Sequence, residues 1–255
     1  MSGVVLAVEG AVAELRLDNP AKLNCFTPEM LAQLATHLEA LENRADIRAV
    51  VLIGTGERAF CTGADINGWG DLNPAEFARN WVRGGHRIFD RLARLAKPTI
   101  AALNGHAFGG GLELAAACDI RVMVPKATIA LPEAGVGIVP GWSGTQRLGR
   151  LLPEPMLKEM ALFGRRIAAD RALSCGFVAE LAEDVRAAAF AIGGRLATLS
   201  PRAIEINKAM IHAGRGEDPA AMVEALGSAA IAASADRDEG VAAFRAKRAP
   251  EFPGT

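Results

Sequence analysis

The sequence lacks any block of like charges and carries almost no net charge. Among its 255 residues, 28 basic side chains stand against 29 acidic ones, for a formal charge of −1 at pH 7. A protein that binds nucleic acid needs a surplus of positive charge, because it has to neutralise the phosphate backbone. The composition therefore argues against nucleic acid as the main partner.

Cysteine is scarce, and the four residues present are scattered. Cys25, Cys61, Cys118 and Cys175 form no C-x-x-C pair, the spacing typical of metal and redox sites. A chain of this length can bury a sufficient core without disulfides or metals. We expect free, mostly buried thiols, as in proteins of a reducing compartment.

Long apolar runs are also missing. No stretch reaches the roughly 18 apolar residues of a membrane span. Residues 1–10 have no basic segment before their apolar run, which Glu9 and Gly10 interrupt, so no signal peptide is expected. We expect no membrane partner and a cytoplasmic location.

Hydrophobic periodicity predicts a mixed α/β body up to about residue 195. Residues 11–17 alternate like a half-buried strand, and Thr27 followed by Pro28 is a typical helix start. The helix after Thr27 has one apolar stripe, formed by Met30, Leu31, Leu34, Leu38 and Leu41. Further elements are expected as buried strands at 49–53 and 99–103, a helical segment at roughly 74–96, and short strands at 120–124 and 128–131.

The remainder of the chain is alanine-rich and predicted to be helical. Ser200 and Pro201 begin one helix, and the segment at about 218–234 is apolar over most of its circumference. Such a helix needs burial on more than one side, which predicts packing against the body and a neighbouring subunit. An ordinary core helix is the alternative.

Two motifs come close to known catalytic patterns without completing them. Residues 54–59, GTGERA, fit the dinucleotide fingerprint, but that fingerprint needs a helix to begin within the turn, and residues 60–65 are a poor helix start. Gly141-Trp-Ser143-Gly144 is one glycine short of a nucleophile elbow, and no motif pairs Ser143 with a histidine. We expect no nicotinamide or flavin, and Ser143 as a turn residue or helix cap.

Three consecutive glycines at 109–111 separate the strand at 99–103 from a helix. Glycine allows a backbone to come within contact distance of a ligand, where a Cβ would clash. The helix start directs free N–H groups at the same gap, which predicts an anion-binding hole around Gly110. Taken alone, Glu113 is a favourable charge in the first turn of that helix, and Glu133 is an ordinary loop carboxylate.

Several segments resemble, in order and spacing, the crotonase superfamily and in particular its enoyl-CoA hydratases. These segments are residues 59–66, 107–114, 131–133, 139–141 and 144–148, within a resemblance that runs from residue 19 to 252. The resemblance implies an α/β fold, a spiral of repeated ββα units with a C-terminal α-helical region that builds homotrimers, often stacked as dimers of trimers. We therefore predict a spiral core with an acyl-CoA site at 1–195 and a trimerisation region at 196–255.

The resemblance also implies the site residues. Its two oxyanion-hole amides match Ala64 and Gly110, and its two catalytic carboxylates match Glu113, which would activate water, and Glu133, which would protonate Cα of a 2-enoyl-CoA thioester. Two close carboxylates would share a proton near neutral pH. CoA arrives with the substrate, so no other cofactor and no metal is expected. The implied substrate-binding residues are Lys22, which would reach a CoA phosphate, Leu23, Ala64, Asp65, Ile66, Gly109, Gly110, Pro132, Gly141 and Trp142.

Two places depart from the family pattern. Trp142 stands where hydratases commonly have a small residue, and a bulky indole there argues against long straight acyl chains. Trp69 and Trp81 lie in a glycine-rich stretch that is expected to be broken or mobile, because Gly84 and Gly85 each cost a helix roughly 1 kcal/mol. A hydratase, or the reverse dehydratase, is favoured. The alternatives are a crotonase isomerase or thioester hydrolase, and a non-catalytic acyl-CoA-binding or assembly protein.

Overall fold

The computed structural model describes residues 2–255 and divides into two compact units, one up to Ile204 and the other Glu205–Thr255. The strands are β1 (Gly3–Glu9), β2 (Val12–Asp18), β3 (Ala49–Gly54), β4 (Ala59–Cys61), β5 (Thr99–Leu103), β6 (His106–Phe108), β7 (Ile120–Met123), β8 (Thr128–Ala130), β9 (Ile167–Ala168) and β10 (Glu180–Leu181). The helices are α1 (Pro28–Glu42), α2 (Pro74–Glu76), α3 (Arg83–Arg94), α4 (Gly110–Ala116), α5 (Gly144–Leu151), α6 (Glu154–Ala161), α7 (Ala169–Ser174), α8 (Val185–Arg195), α9 (Pro201–Gly214), α10 (Pro219–Ala232) and α11 (Ala235–Ala246).

The first unit contains two sheets, and from β3 to β8 successive strands join them alternately. The larger sheet has the order β1-β2-β3-β5-β7-β10, and the smaller has the order β4-β6-β8-β9. The strands β3, β5 and β7 run parallel in one sheet, and β4, β6 and β8 run parallel in the other. The pairs β3–β4, β5–β6 and β7–β8 thus each add one strand to each sheet before a helix follows. This confirms the predicted α/β spiral of ββα units.

The core of the first unit explains the strongest sequence signals. The strands β3 and β5 are buried along their whole length, and α8 packs against both. The N-terminus of α1 is capped by Thr27, whose hydroxyl accepts from the N–H of Met30 at 3.3 Å. Every residue of the predicted apolar stripe of α1 is buried. These predictions are confirmed.

The segments 54–59 and 74–96 each contain glycines on which a sequence-based expectation rests. The turn at Gly54 leads into the strand β4 and not into a helix, which agrees with the expectation that residues 54–59 are a poor dinucleotide site. The segment at 74–96, expected to be broken or mobile, is helical without a gap, but its α-helical hydrogen bonding is interrupted by a π-helical turn at Phe77–Val82 between α2 and α3. The expected mobility stays a prediction. Gly85 is buried within α3 because another side chain occupies the space beside it, as described below.

The second unit is built from helices. Its α10 and α11 pack on each other, and the C-terminal residues fold back onto α11 through an ion pair between Arg248 and Glu239. No residue of α10 is buried, so the interpretation as an ordinary core helix is wrong. The boundary at 195/196 and the trimerisation role stay predictions.

The four cysteines are free thiols, three of them buried, as expected. None of the helices within residues 2–255 combines the length and the apolar character needed to cross a membrane.

Candidate active site

A cavity of about 180 Å³ lies at one edge of the smaller sheet. Thr62 follows β4, Gly109 follows β6 and Pro132 follows β8, and all three line the cavity. Because these strands are parallel, their carboxyl ends meet at the same edge, where ligands commonly bind in α/β folds. Three distant segments of the sequence are brought together in this way.

Two backbone N–H groups are available at this edge. Phe26 pairs with the segment around Ala64 by donating to the C=O of Gly63 and accepting from the N–H of Asp65, both at 2.8 Å, which leaves the N–H of Ala64 outside the bridge. Gly110 is the first residue of α4, so its N–H has no partner within the helix. A Cβ built on Gly63 would stand 3.3 Å from the nitrogen of Gly110, so the two backbones are in close contact.

The side chain of Glu113 extends from the first turn of α4 into the same cavity. It is 3% exposed, and its Oε1 accepts from the N–H groups of Trp142 and Gly144, each at 2.7 Å. Burial raises the pKa of Glu113 to about 7; the two N–H donors lower it and the nearby charge of Glu133 raises it further. Near neutral pH this carboxyl therefore exists in both protonation states.

Glu133 faces the cavity from the 3₁₀ turn Glu133–Val136 after β8. Burial raises its pKa as well. Its Oε2 is buried and has no hydrogen-bond partner within residues 2–255. The backbone N–H of Glu133 itself lowers the pKa, but burial has the larger effect and favours the protonated form, which could donate a proton into the cavity. The cavity thus brings two buried carboxyls together, both with a raised pKa.

The indole of Trp142 closes the inner end of the cavity. It is 3% exposed and packs at ring-centroid distances of 6.1 Å from Phe26 and 5.1 Å from Phe89. Glycines leave the space that it occupies: a Cβ on Gly85 would stand 2.2 Å from its Nε1, and a Cβ on Gly110 would stand 2.7 Å from its Cζ3. The bulky residue is therefore accommodated by two glycines and forms a fixed wall.

Ser143 forms a pair with a histidine that the sequence did not predict. Its hydroxyl hydrogen-bonds with Nδ1 of His86, a residue 57 positions away, so no local motif could indicate the contact. The residue precedes α5 in a left-handed conformation with φ 74°, and its side chain makes no capping bond. Ser143 is not among the residues that line the cavity, which speaks against a nucleophile. Its neighbours on both sides donate to Glu113.

Most of the predicted site residues line this cavity. They are Ala64, Ile66, Gly109, Gly110, Glu113, Pro132, Glu133, Gly141 and Trp142. Lys22, Leu23 and Asp65 do not: Nζ of Lys22 pairs with Asp65, and the C=O of Leu23 accepts from the N–H of Thr62 at 3.2 Å. Their substrate-binding roles stay predictions. The sequence pointed to Trp69 and Trp81, but it gave no sign that Phe77, Val136 and Ile138 line the cavity too.

Comparison with known proteins identifies the family. Residues 7–255 match the family described as "Enoyl-CoA hydratase/isomerase". The chain belongs to the enoyl-CoA hydratase/isomerase family. This membership confirms the resemblance to the crotonase superfamily that the sequence motifs indicated.

Individual members of the enoyl-CoA hydratase/isomerase family match over nearly the whole chain. A short-chain-enoyl-CoA hydratase of Clostridium acetobutylicum is 35% identical over 97% of this chain and 96% of its own length. An (E)-benzylidenesuccinyl-CoA hydratase of Thauera aromatica is 34% identical over 98% and 99%. The crystal structure of an enoyl-CoA hydratase from Bacillus anthracis superposes with a TM-score of 0.81 at 32% identity, covering 99% of both chains.

Proposed function

We propose that this protein is an enoyl-CoA hydratase, which adds water across the 2,3 double bond of a 2-enoyl-CoA thioester or catalyses the reverse dehydration. The observation that carries the proposal is the meeting of two buried carboxyls, Glu113 and Glu133, with the free N–H groups of Ala64 and Gly110 in one cavity. The names of similar family members, which include hydratases of different acyl groups, support the same reaction.

The two backbone amides would bind the thioester carbonyl oxygen. Hydrogen bonds from Ala64 and Gly110 draw electron density toward that oxygen, so that C3 of the enoyl group becomes electrophilic. They then stabilise the enolate oxygen that forms as water adds. The glycine at 110 suits this task because its N–H is fixed at a helix start.

The glutamates would move the two protons of the reaction. Glu113 in its ionised form takes a proton from water while the water oxygen bonds to C3, and protonated Glu133 gives a proton to C2. The elements of one water molecule are thereby added, and the proton now on Glu113 balances the proton lost by Glu133. The raised pKa values of both carboxyls support the coexistence of a base and an acid near pH 7, which this mechanism requires.

The remaining parts of the proposal concern binding partners. CoA enters as part of the substrate, so we propose no separate cofactor and no metal. We propose that Lys22 contacts a CoA phosphate.

We also propose that α10, whose Val223 is 71% and Ile231 is 56% exposed, forms a contact between subunits of a trimer or a dimer of trimers. Light scattering after gel filtration tests this: V223D should lower the assembly mass. The free thiols fit a cytoplasmic location.

The hydratase is tested by mixing the purified protein with crotonyl-CoA and following the loss of conjugated-thioester absorbance. We expect activity in the native protein and a loss of about 10² or more in rate for both Glu113→Gln and Glu133→Gln. The matched control is Glu183→Gln, an exposed carboxylate outside the cavity. Binding of butanoyl-CoA shows whether each variant still takes up a thioester.

Near-native activity of Glu133→Gln would contradict the two-carboxylate hydratase. An isomerase would instead gain absorbance with a 3-enoyl-CoA, and a hydrolase would release free CoA thiol from a saturated thioester. A protein that binds butanoyl-CoA but catalyses none of the three reactions would be an acyl-CoA-binding or assembly protein.

A further inference from the structure

All the tryptophans of the chain lie around one cavity. The sequence has three tryptophans and no tyrosine. Trp69, Trp81 and Trp142 each line the cavity that holds the two glutamates, and Phe77 adds a fourth ring. These residues come from three different places: the segment after the 3₁₀ turn Ile66–Gly68, the π-helical turn and the loop before α5. In a chain with so few large rings, this concentration points to what the cavity holds.

The rings form two tilted pairs. Trp69 and Phe77 are 5.5 Å apart between centroids with planes at 57°, and Trp81 and Trp142 are 5.3 Å apart with planes at 48°. Aromatic rings prefer such tilted arrangements, and a further ring can join them through its own edges and face. A flexible aliphatic chain gains area in the same space but loses more rotational freedom when it is bound.

The volume of the cavity limits the size of its occupant. At about 180 Å³ it is close to the roughly 150 Å³ of an apolar cavity that binds benzene, and smaller than the roughly 300–1,000 Å³ of sites for drug-sized ligands. The inner end is closed by Trp142, which is backed by Phe26 and Phe89. One ring beside the reacting carbons fits this space, whereas a chain that continued past the inner end would have to displace the indole.

The charge of the lining limits the chemistry of the occupant. Apart from Glu113 and Glu133, Thr62 is the one polar side chain among the described lining residues, and none of these is basic. An acyl group with its own carboxylate would therefore find no cation and would face two carboxyls. Uncharged acyl groups are favoured.

We propose that the preferred substrate is a 2-enoyl-CoA thioester whose acyl group ends in a single uncharged planar ring, held between Trp69, Phe77 and Trp81. This rests on the proposed hydratase function for its chemistry, because the ring would be attached to C3, where water adds. The binding preference itself requires no catalysis and is tested separately.

Binding is measured with saturated thioesters, which cannot be hydrated: 3-phenylpropanoyl-CoA, butanoyl-CoA, octanoyl-CoA and the anionic glutaryl-CoA. Because all tryptophans line the cavity, the intrinsic fluorescence reports its occupancy directly. We expect the phenyl compound to bind with a Kd about tenfold lower than that of butanoyl-CoA and octanoyl-CoA, and glutaryl-CoA to bind most weakly. Equal or tighter binding of octanoyl-CoA overturns the proposal.

Variants locate the preference within the cavity. Trp69→Leu and Trp81→Leu, followed by calorimetry, should bring the ratio of the phenyl and butanoyl Kd values close to one. Phe163→Leu, which removes a ring that is 76% exposed and outside the cavity, should leave the ratio unchanged. If Trp81→Leu fails to fold, the half-buried Trp69 still provides the test. An unchanged ratio in Trp69→Leu would mean that the rings do not select the acyl group.

A final measurement separates this proposal from the proposed reaction. The dehydration of 3-hydroxy-3-phenylpropanoyl-CoA, followed by the gain in conjugated absorbance, should proceed with a higher kcat/KM than that of 3-hydroxybutanoyl-CoA. Tight binding of the phenyl compound without turnover of either hydroxyacyl thioester would uphold the ring preference and refute the hydratase. Turnover of both hydroxyacyl thioesters without a preference for the phenyl compound would uphold the hydratase and refute the ring preference.

Discussion

The two ends of the cavity are built in different ways. At the carboxylate end, the side chain of Glu113 is held by backbone N–H groups, and Gly110 begins a helix that is buried throughout. At the ring end, Trp69, Phe77 and Trp81 are half-buried side chains on a stretch of short helical turns. The first end depends on backbone geometry and the second on side-chain surface. A substitution at one end should therefore change the rate of reaction, and one at the other should change the choice of substrate.

The largest effect on the rate is expected from Gly110→Ala, which changes the backbone at the carboxylate end. The added Cβ would stand 2.7 Å from Cζ3 of Trp142, so the helix start or the indole has to move. Displacing one oxyanion donor costs about 10²–10³ in kcat. Steady-state kinetics with crotonyl-CoA measure the loss, and urea denaturation shows how much of it is unfolding. A folded variant with native kcat would show that this amide takes no part.

The pH dependence of the rate tests whether Glu113 is the base. Its pKa of about 7 applies to the folded protein, and the base must be ionised. The value of kcat/KM for crotonyl-CoA should therefore fall about tenfold for each pH unit below 7, and it should fall again at higher pH, where Glu133 loses the proton that it has to donate. The residual activity of Glu113→Gln should not show this fall below pH 7. A native profile that stays flat down to pH 5 would rule out a base with this pKa.

Burial of the ionisable Glu113 should lower the free energy of unfolding near neutral pH. The variant Glu113→Gln makes this cost measurable. The folded protein holds the proton of Glu113 more tightly than the unfolded chain does, since the pKa rises from 4.5 to about 7. The stability that this gives is present below pH 4.5 and is lost as the pH rises to 7, by up to about 3 kcal/mol.

Glutamine cannot ionise and keeps the acceptor for both N–H groups, so the variant should gain relative to the native protein between pH 5 and pH 8. Urea denaturation at the two pH values checks this, with Glu183→Gln as the control. A difference between variant and native protein that is the same at both pH values would contradict the burial of an ionisable group here.

The smallest effects are expected on stability, at the neighbouring glycines Gly84 and Gly85, which face different sides of α3. A Cβ on Gly85 would stand 2.2 Å from Nε1 of Trp142, whereas one on Gly84 meets nothing within 4 Å. Gly85→Ala should destabilise the fold by about 1–3 kcal/mol through overpacking, and Gly84→Ala should stabilise it by roughly 0.5–1 kcal/mol through helix propensity. Chemical denaturation followed by tryptophan fluorescence compares the two. Equal effects would show that the indole is free to move.

Local sequence patterns were enough to predict the long elements. The helix α1 has a cap, a proline and a stripe of leucines within one stretch, and β3 and β5 are continuous apolar runs. The strands β4 and β6 have three residues each, too few for any periodicity, so the second sheet could be expected only from the family resemblance. Helix propensity did not predict that α3 runs through Gly84 and Gly85, because propensity says nothing of a tryptophan 57 residues further on that packs against Gly85.

The site shows the same limit. The motif of residues 109–113 predicted an anion hole because its parts adjoin in sequence. The pairing of Trp142 with Glu113 spans 29 residues and that of Ser143 with His86 spans 57, so neither leaves a local signal. The raised pKa of Glu113 follows from burial, which one residue's identity does not reveal.

Trp142 belongs to both ends of the cavity at once. Its indole forms the inner wall that a bound ring would touch, and its backbone N–H donates to Oε1 of Glu113. Any acyl group that tilts the indole also shifts this donor, and with it the proton affinity of the base. Linkage is reciprocal, so protonation of Glu113 must in turn alter the affinity for that acyl group. The fit of the substrate and the pKa of Glu113 thus both depend on the position of Trp142. A thioester that fits poorly would shift the pKa of the base that has to act on it.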